Sequence, residues 1–172
     1  MKTATIHHDR DCESPRECSN IGIMALFHRR MNVPNESGMD APDVQAHVGE
    51  GFSGVVLPVY MYEHGGVSLS TRPFSCPWDS GQLGVIYVSW ETLREEFGED
   101  EDEDVLRDRA EVWLQSEVEG FGQWLNGECY GYVIKGEDGS DSDSCWGFLG
   151  YDTVVEAAKE AGAEKIVGEV QD

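Results

Sequence analysis

The sequence predicts an α+β fold: a mostly antiparallel sheet with two to three helices packed on it. Three observations predict it. Strand-like runs rich in β-branched and aromatic residues come first, helical periodicity follows between residues 90 and 127, and strand-like runs return from residue 130. Glycine-marked turns separate neighbouring strand candidates, which is how antiparallel hairpins are built. One long apolar stripe at three- and four-residue steps marks a main helix. At 172 residues, the size prior gives a single domain, 1–172, long enough to bury a core.

Taken in order, Met1 to Arg10 is polar and His-rich and reads as a terminal segment, not a signal peptide. Ile21 to His28 is apolar and short, and its length does not decide between strand and helical turn. Residues 32–54 are rich in Pro, Gly and Asp and predict an irregular loop. Val55 to Tyr62 predicts a strand whose Pro58 requires an edge position or a bulge. Glu63-His64-Gly65-Gly66 predicts a hairpin turn, because glycine takes positive φ without steric cost, and Val67 to Ser70 the returning strand. Pro73 to Gln82 predicts a loop, and Gly84 to Val88 a buried strand.

Trp90 to Phe97 predicts a short helix with Ser89 as N-cap. The main helix starts near Asp104, and its acidic approach suits the positive end of the helix dipole. Leu106, Ala110, Trp113, Leu114, Val118, Phe121 and Leu125 form its stripe. Gly120 and Gly122 weaken its last turns by roughly 1 kcal/mol each, and Gly127 stops it. Tyr130 to Lys135 and Ser144 to Leu149 predict paired strands around the Ser/Asp loop 136–144. Thr153 and Glu156 have the spacing of a capping box for a helix from Val154 to about Ala161, and Ala163 to Val170 predicts a last strand.

Charge is the dominant compositional feature. There are 34 acidic residues against 12 basic ones, a net of −22. Residues 1–90 carry net −4 and residues 91–172 net −18, including the run 99–104 of alternating Glu and Asp. Such a field repels nucleic-acid phosphates and anionic membranes and favours basic partners. No apolar run approaches the roughly 18 residues of a membrane helix, so a cytoplasmic protein is expected. An acidic surface also solvates the proteins of salt-rich cells, and only 4 of the 12 bases are Lys.

Motifs for chemistry are sparse. The sequence has no dinucleotide fingerprint, P-loop, GxSxG elbow or HExxH. Five cysteines, at 12, 18, 76, 129 and 145, are odd in number and irregular in spacing, which disfavours a disulfide framework and predicts mostly buried thiols. His7, His8, Asp9, Asp11 and Cys12 are metal-ligating types, but adjacent histidines on a strand point to opposite faces, so no metal site is assigned. Cys76, with Asp79 and either His28 or His64, is a candidate nucleophile cluster. The alternative is a buried thiol in a loop anchored by Phe74 and Trp78, because the negative field disfavours a thiolate. Asp138, Asp141 and Asp143 fail the EF-hand pattern, since Trp146 stands where its glycine is needed. His28-Arg29-Arg30, with Arg10 and Arg16, is expected to pair internally with the acids, an anion site being the alternative.

Several segments together carry a resemblance: Ser14-Pro15-Arg16-Glu17, Phe27 to Arg30, Leu57 to Tyr60, Pro73 to Gln82, Ile86 to Ser89, Tyr130 to Val133 and Ser144 to Phe148. With Trp78-Asp79-Ser80-Gly81-Gln82 as the most specific part, the chain resembles small proteins encoded by bacteriophages, prophages and other mobile elements. The resemblance carries over no catalytic residue. It implies an aromatic residue at the position of Cys18, a departure that weakens any metal or disulfide role for that cysteine.

The expected function is therefore that of a phage or mobile-element interaction protein. Its acidic face would block a basic nucleic-acid-binding surface of a host defence complex, in the manner of a DNA mimic acting against CRISPR or restriction systems. The partner is a basic host protein or nucleoprotein complex, with no direct nucleic acid, no membrane and no cofactor. The expected partner-binding residues are Glu95, Glu96, Glu99, Asp100, Glu101, Asp102, Glu103, Asp104, Asp138, Asp141 and Asp143, within the acidic half 91–172. Two alternatives stand beside it. One is a small enzyme or metal-binding protein using the 74–82 loop. The other is a housekeeping domain of a halophile, whose acid is spread evenly.

Overall fold

The computed structural model describes residues 1–76 and 78–170. They form an α+β fold with two four-stranded, mostly antiparallel sheets and four α-helices. Two compact units emerge, one made of residues 1–17 and 123–172 and the other of residues 18–122, so the second is inserted in sequence within the first. Pro77, inside the Pro73 to Gln82 segment, and Asp172, the end of the acidic half, lie outside the described residues.

The first unit is built on β1 (Thr3–His8), β6 (Cys129–Lys135), β7 (Asp141–Leu149) and β8 (Lys165–Val170), in the order β7-β6-β1-β8. β1 pairs antiparallel with β6 and parallel with β8. The polar N-terminal segment is thus an interior strand, which corrects the reading of it as a mere polar terminal segment. Alternation explains this: Ala4 and Ile6 are fully buried, while Thr3, Thr5 and His7 face the other way. Ala4, Ile6, Tyr130, Tyr132 and Ile134 pack against Val154 and Ala158 of α4 (Tyr151–Glu160).

That helix begins two residues before the predicted capping box. Its N-cap is Gly150, with no side-chain cap hydrogen bond, and Thr153 already lies inside the first turn. The capping reading fails because the Gly150 amide is tied to the Glu128 carbonyl, 2.9 Å away, which fixes where the chain turns into the helix.

The second unit contains β2 (Ile23–Leu26), β3 (Gly54–Glu63), β4 (Val67–Ser70) and β5 (Ser80–Ser89), in the antiparallel order β2-β5-β3-β4. Pro58 sits where the sequence requires. β4 covers only Tyr60 to Glu63, so one side of β3 is open at Pro58, and the β3–β5 register shifts between Val59 and Tyr60. The hairpin turn holds Gly65 at φ +73°, a conformation that favours glycine. β5 starts at Ser80, four residues earlier than predicted, because Ser80 to Gln82 continue the pairing with Tyr62 to Tyr60.

Helices cover both faces of this sheet. α3 (Glu103–Leu125, its last three residues in the first unit) buries Leu106, Ala110, Leu114, Val118 and Phe121. Each large apolar side chain so buried contributes about 1.5–3 kcal/mol. Trp113 departs from the predicted stripe. It is half exposed and sets its ring 5.7 Å from Phe97 of α2 (Trp90–Phe97). Gly122, read as a weak point, is a close-packing position: a β-carbon there would come within 3.4 Å of the Leu69 backbone nitrogen.

On the opposite face, Ala25 and Tyr87 pack against Val44 of α1 (Ala41–His47). This helix lies inside the segment predicted to be irregular. Asp40 caps it by accepting from the Asp43 N–H at 2.9 Å, and Pro42 occupies its first turn, where a missing N–H costs nothing. Loop-like composition there was a helix-start signal.

Candidate functional site

The predicted partner-binding carboxylates divide between the two units. Glu95, Glu96, Glu99, Asp100, Glu101, Asp102, Glu103 and Asp104 belong to the inserted unit, and Asp138, Asp141 and Asp143 to the other. All are exposed except Glu101, which is half-buried. The charge is distributed accordingly, net −13 on residues 18–122 and net −9 on residues 1–17 with 123–172.

In the inserted unit, residues 90–122 hold 13 acids and 3 bases. All three bases are engaged locally. Arg94 pairs with Glu103 at 2.9 Å, and Arg109 lies 3.5 Å from Glu101 and over the Phe97 ring. Arg107 stacks over Trp90, 5.1 Å from the ring centre. Glu95, Glu96, Glu99, Asp100, Asp102 and Asp104 have no cation at ion-pair distance among the described residues. The Ser89 hydroxyl accepts from the Thr92 N–H and starts α2, while the Asp102 carboxylate accepts from the Asp104 N–H at 2.9 Å where α3 begins. Two capped helix starts therefore hold this acidic corner in place.

In the other unit, the three aspartates act locally. The Ser140 hydroxyl and N–H both donate to Asp138 Oδ1, at 2.7 and 3.1 Å, and hold that carboxyl below its ordinary range. Asp141 lies 4.0 Å from the Lys135 ammonium, and Asp143 accepts from the Tyr132 hydroxyl at 3.4 Å.

The candidate nucleophile cluster assembles in part. Asp79 Oδ2 lies 3.7 Å from His64 Nδ1 and 3.9 Å from Cys76 Sγ. The carboxylate, not the imidazole, faces the thiol, so the base needed to activate a cysteine is displaced. The His64 side chain is 73% exposed, and this surface does not exclude water. His28 is elsewhere, its Nδ1 accepting from the N–H groups of Arg30 and Met31. The anchoring of the loop is half as predicted: Phe74 packs 5.6 Å from the Tyr62 ring, but Trp78 is 91% exposed. Arg29 and Arg30 are exposed and form no ion pair among the described residues, so their expected pairing with the acids does not occur.

The cysteines depart furthest from expectation. Cys12 and Cys129, 117 residues apart in sequence, are joined by a disulfide. Of the free thiols, Cys18 and Cys145 are exposed and Cys76 is half-buried, so the expectation of mostly buried free cysteines fails. Spacing rules look for local patterns and pass over a pair brought together by strand pairing. Asp9 joins this pair: its carboxylate and the two sulfurs lie within 4.8 Å of one another, the one such group of metal-ligating side chains among the described residues. A cavity of about 370 Å³ adjoins it, lined by His8, Asp9, Arg10, Cys12, Trp124, Gly127 and Cys129. Part of the N-terminal constellation thus finds a partner in Cys129. His7 and His8 do not join it, their rings lying against Trp146 and Tyr130. Among the described residues, no helix is long and apolar enough to cross a membrane.

Fold and site together define an acidic α+β protein with a capped, carboxylate-rich helical corner in one unit and a Cys/Asp cluster in the other. Compared with protein-family models, with curated proteins and with solved structures, the chain finds no match.

Proposed function

We propose that the protein is a non-enzymatic interaction protein whose acidic corner, Glu95 to Asp104, occupies a basic nucleic-acid-binding surface on another protein. One observation carries this reading: six exposed carboxylates stand without a cation at ion-pair distance among the described residues, while all three neighbouring arginines are engaged by Glu103, Glu101 and aromatic rings. Desolvating such carboxylates against Lys and Arg gives charge-assisted hydrogen bonds, and a field of net −22 speeds the encounter. The resemblance of the 78–82 segment to mobile-element proteins points to a host defence complex, of CRISPR or restriction type, as the partner, and to the host cytoplasm as the place of action. Asp138, Asp141 and Asp143 are a secondary contact in this reading.

The test is competition. The protein should displace duplex DNA from a Lys/Arg-lined nuclease complex at low salt and lose that ability as screening shortens the reach of its field. The combined variant Glu99→Gln, Asp100→Asn, Glu101→Gln and Asp102→Asn should weaken binding at least about tenfold, the scale of losing roughly 1.4 kcal/mol. Unchanged binding by this variant, or no binding to any host DNA-handling complex at low salt, refutes the proposal.

A further inference from the structure

The Cys12–Cys129 pair has a chemistry that its oxidised form conceals. We propose that the reduced protein binds zinc through Asp9, Cys12 and Cys129, with solvent as the fourth ligand.

The donor set is right for this metal. Two thiolates and a carboxylate suit zinc, whereas calcium and magnesium require oxygen alone. A tetrahedral zinc with Zn–S bonds of about 2.3 Å holds its sulfurs about 3.8 Å apart. In the oxidised form the two sulfurs are bonded to each other and the Asp9 carboxylate lies within 4.8 Å of both, so after reduction the sulfurs part to this spacing by side-chain rotation, with the carboxylate already beside them.

The backbone carrying the ligands is held independently of the disulfide. β1 and β6 pair through His8 and Tyr130, the residues that adjoin Asp9 and Cys129. The Asp9 N–H donates to the Cys129 carbonyl at 2.8 Å. The Trp124 indole donates to the Cys12 carbonyl at 3.0 Å. The carboxylate is oriented as a metal ligand usually is, by outer hydrogen bonds: the Asp11 N–H donates to Oδ1 at 3.2 Å and the Gly147 N–H to Oδ2 at 3.1 Å. Each oxygen keeps a second lone pair for a cation. The adjoining cavity gives solvent and metal a way in.

The steps balance. An external dithiol supplies two electrons and two protons, the sulfur–sulfur bond breaks, the protein gains two thiols, and the dithiol becomes a disulfide. Zn²⁺ then forms two zinc–sulfur bonds and releases both thiol protons to solvent. The strongly negative chain favours the last step, since a divalent cation relieves the repulsion that two bare thiolates would feel beside Asp9.

The experiment uses the full chain with Cys18, Cys76 and Cys145 replaced by Ser, so that only this pair remains. The protein is reduced, freed of reductant without air, and titrated with Zn²⁺ against a chromogenic chelator. One zinc per chain is expected in the reduced form and none in the disulfide form, and Co²⁺ in place of zinc should show a thiolate-to-cobalt charge-transfer band. Asp9→Asn should weaken zinc at least about tenfold, as even outer-shell changes do, and Cys12→Ser should abolish the site. If reduction unfolds the chain, zinc should restore its circular dichroism, because binding energy is then folding energy. The proposal is overturned by absence of zinc binding in the reduced form, by equal binding in Cys12→Ser, or by a reduced chain that stays unfolded with zinc.

Discussion

Tyr132 and Tyr87 are 6% and 4% exposed, and burial pushes both phenols above their ordinary value of 10.0. The carboxylate of Asp143 adds to the effect at Tyr132, and that of Glu36 at Tyr87. A raised value means that the folded state keeps a proton which the unfolded chain releases first. The stabilising contribution is therefore whole below the ordinary phenol value and disappears as pH climbs through the raised folded value. Urea midpoints measured across alkaline pH should fall above about pH 10, and Tyr132→Phe should make that fall shallower. An equal slope in the two proteins would contradict the assignment. At this scale, local chemistry was legible in the sequence. Ser89 caps α2 as its position predicts, because a cap needs only its own next three residues. The reach of Asp143 to Tyr132 needs the β6–β7 register and was not legible.

Caps decide where the helices start, and their cost can be measured. Ser89→Ala should destabilise the protein by about 1 kcal/mol, the usual value of a lost side-chain cap. Thr153→Ala should change stability by less than about 0.5 kcal/mol, since Thr153 is exposed and caps nothing. Thermal or chemical unfolding of the two variants distinguishes the observed α4 start from the capping box that the sequence suggests. β3 to β8 and the amphipathic α3 were readable because period 2 and period 3.6 are imprinted on neighbouring residues, whereas β1 was not and β2 stayed undecided. α1 was missed because Asp40 and Pro42, which start a helix, are also the residues of a loop.

The disulfide spans the entire inserted unit, tying the chain just before it to the chain just after it. Closing so long a loop restricts the unfolded chain strongly. The double variant Cys12→Ser, Cys129→Ser should lose about 2–5 kcal/mol against the oxidised protein, and reductant should bring the parent down to the variant's level in metal-free solution. A parent whose urea midpoint ignores reductant would show that the bond contributes nothing. Charge also belongs to this scale. The sequence places net −18 in residues 91–172, but the fold divides that half between two units: the acidic corner of α2 and α3 belongs to one, and the aspartates of the β6–β7 hairpin to the other.

By itself the sequence determined the α+β class, the hairpin at Gly65, the N-cap of α2, most of the buried stripe of α3 and the acidity, all of which arise from composition or from contacts within a few residues. Only the tertiary structure decided that the N-terminal segment is an interior strand, that the arginines near the acidic run are taken up by Glu103, Glu101, Trp90 and Phe97, and that Asp9, Cys12 and Cys129 meet. The physical reason is the same in each case: these are contacts in space, made when strands pair and helices pack, and no spacing along the chain encodes a meeting across 117 residues.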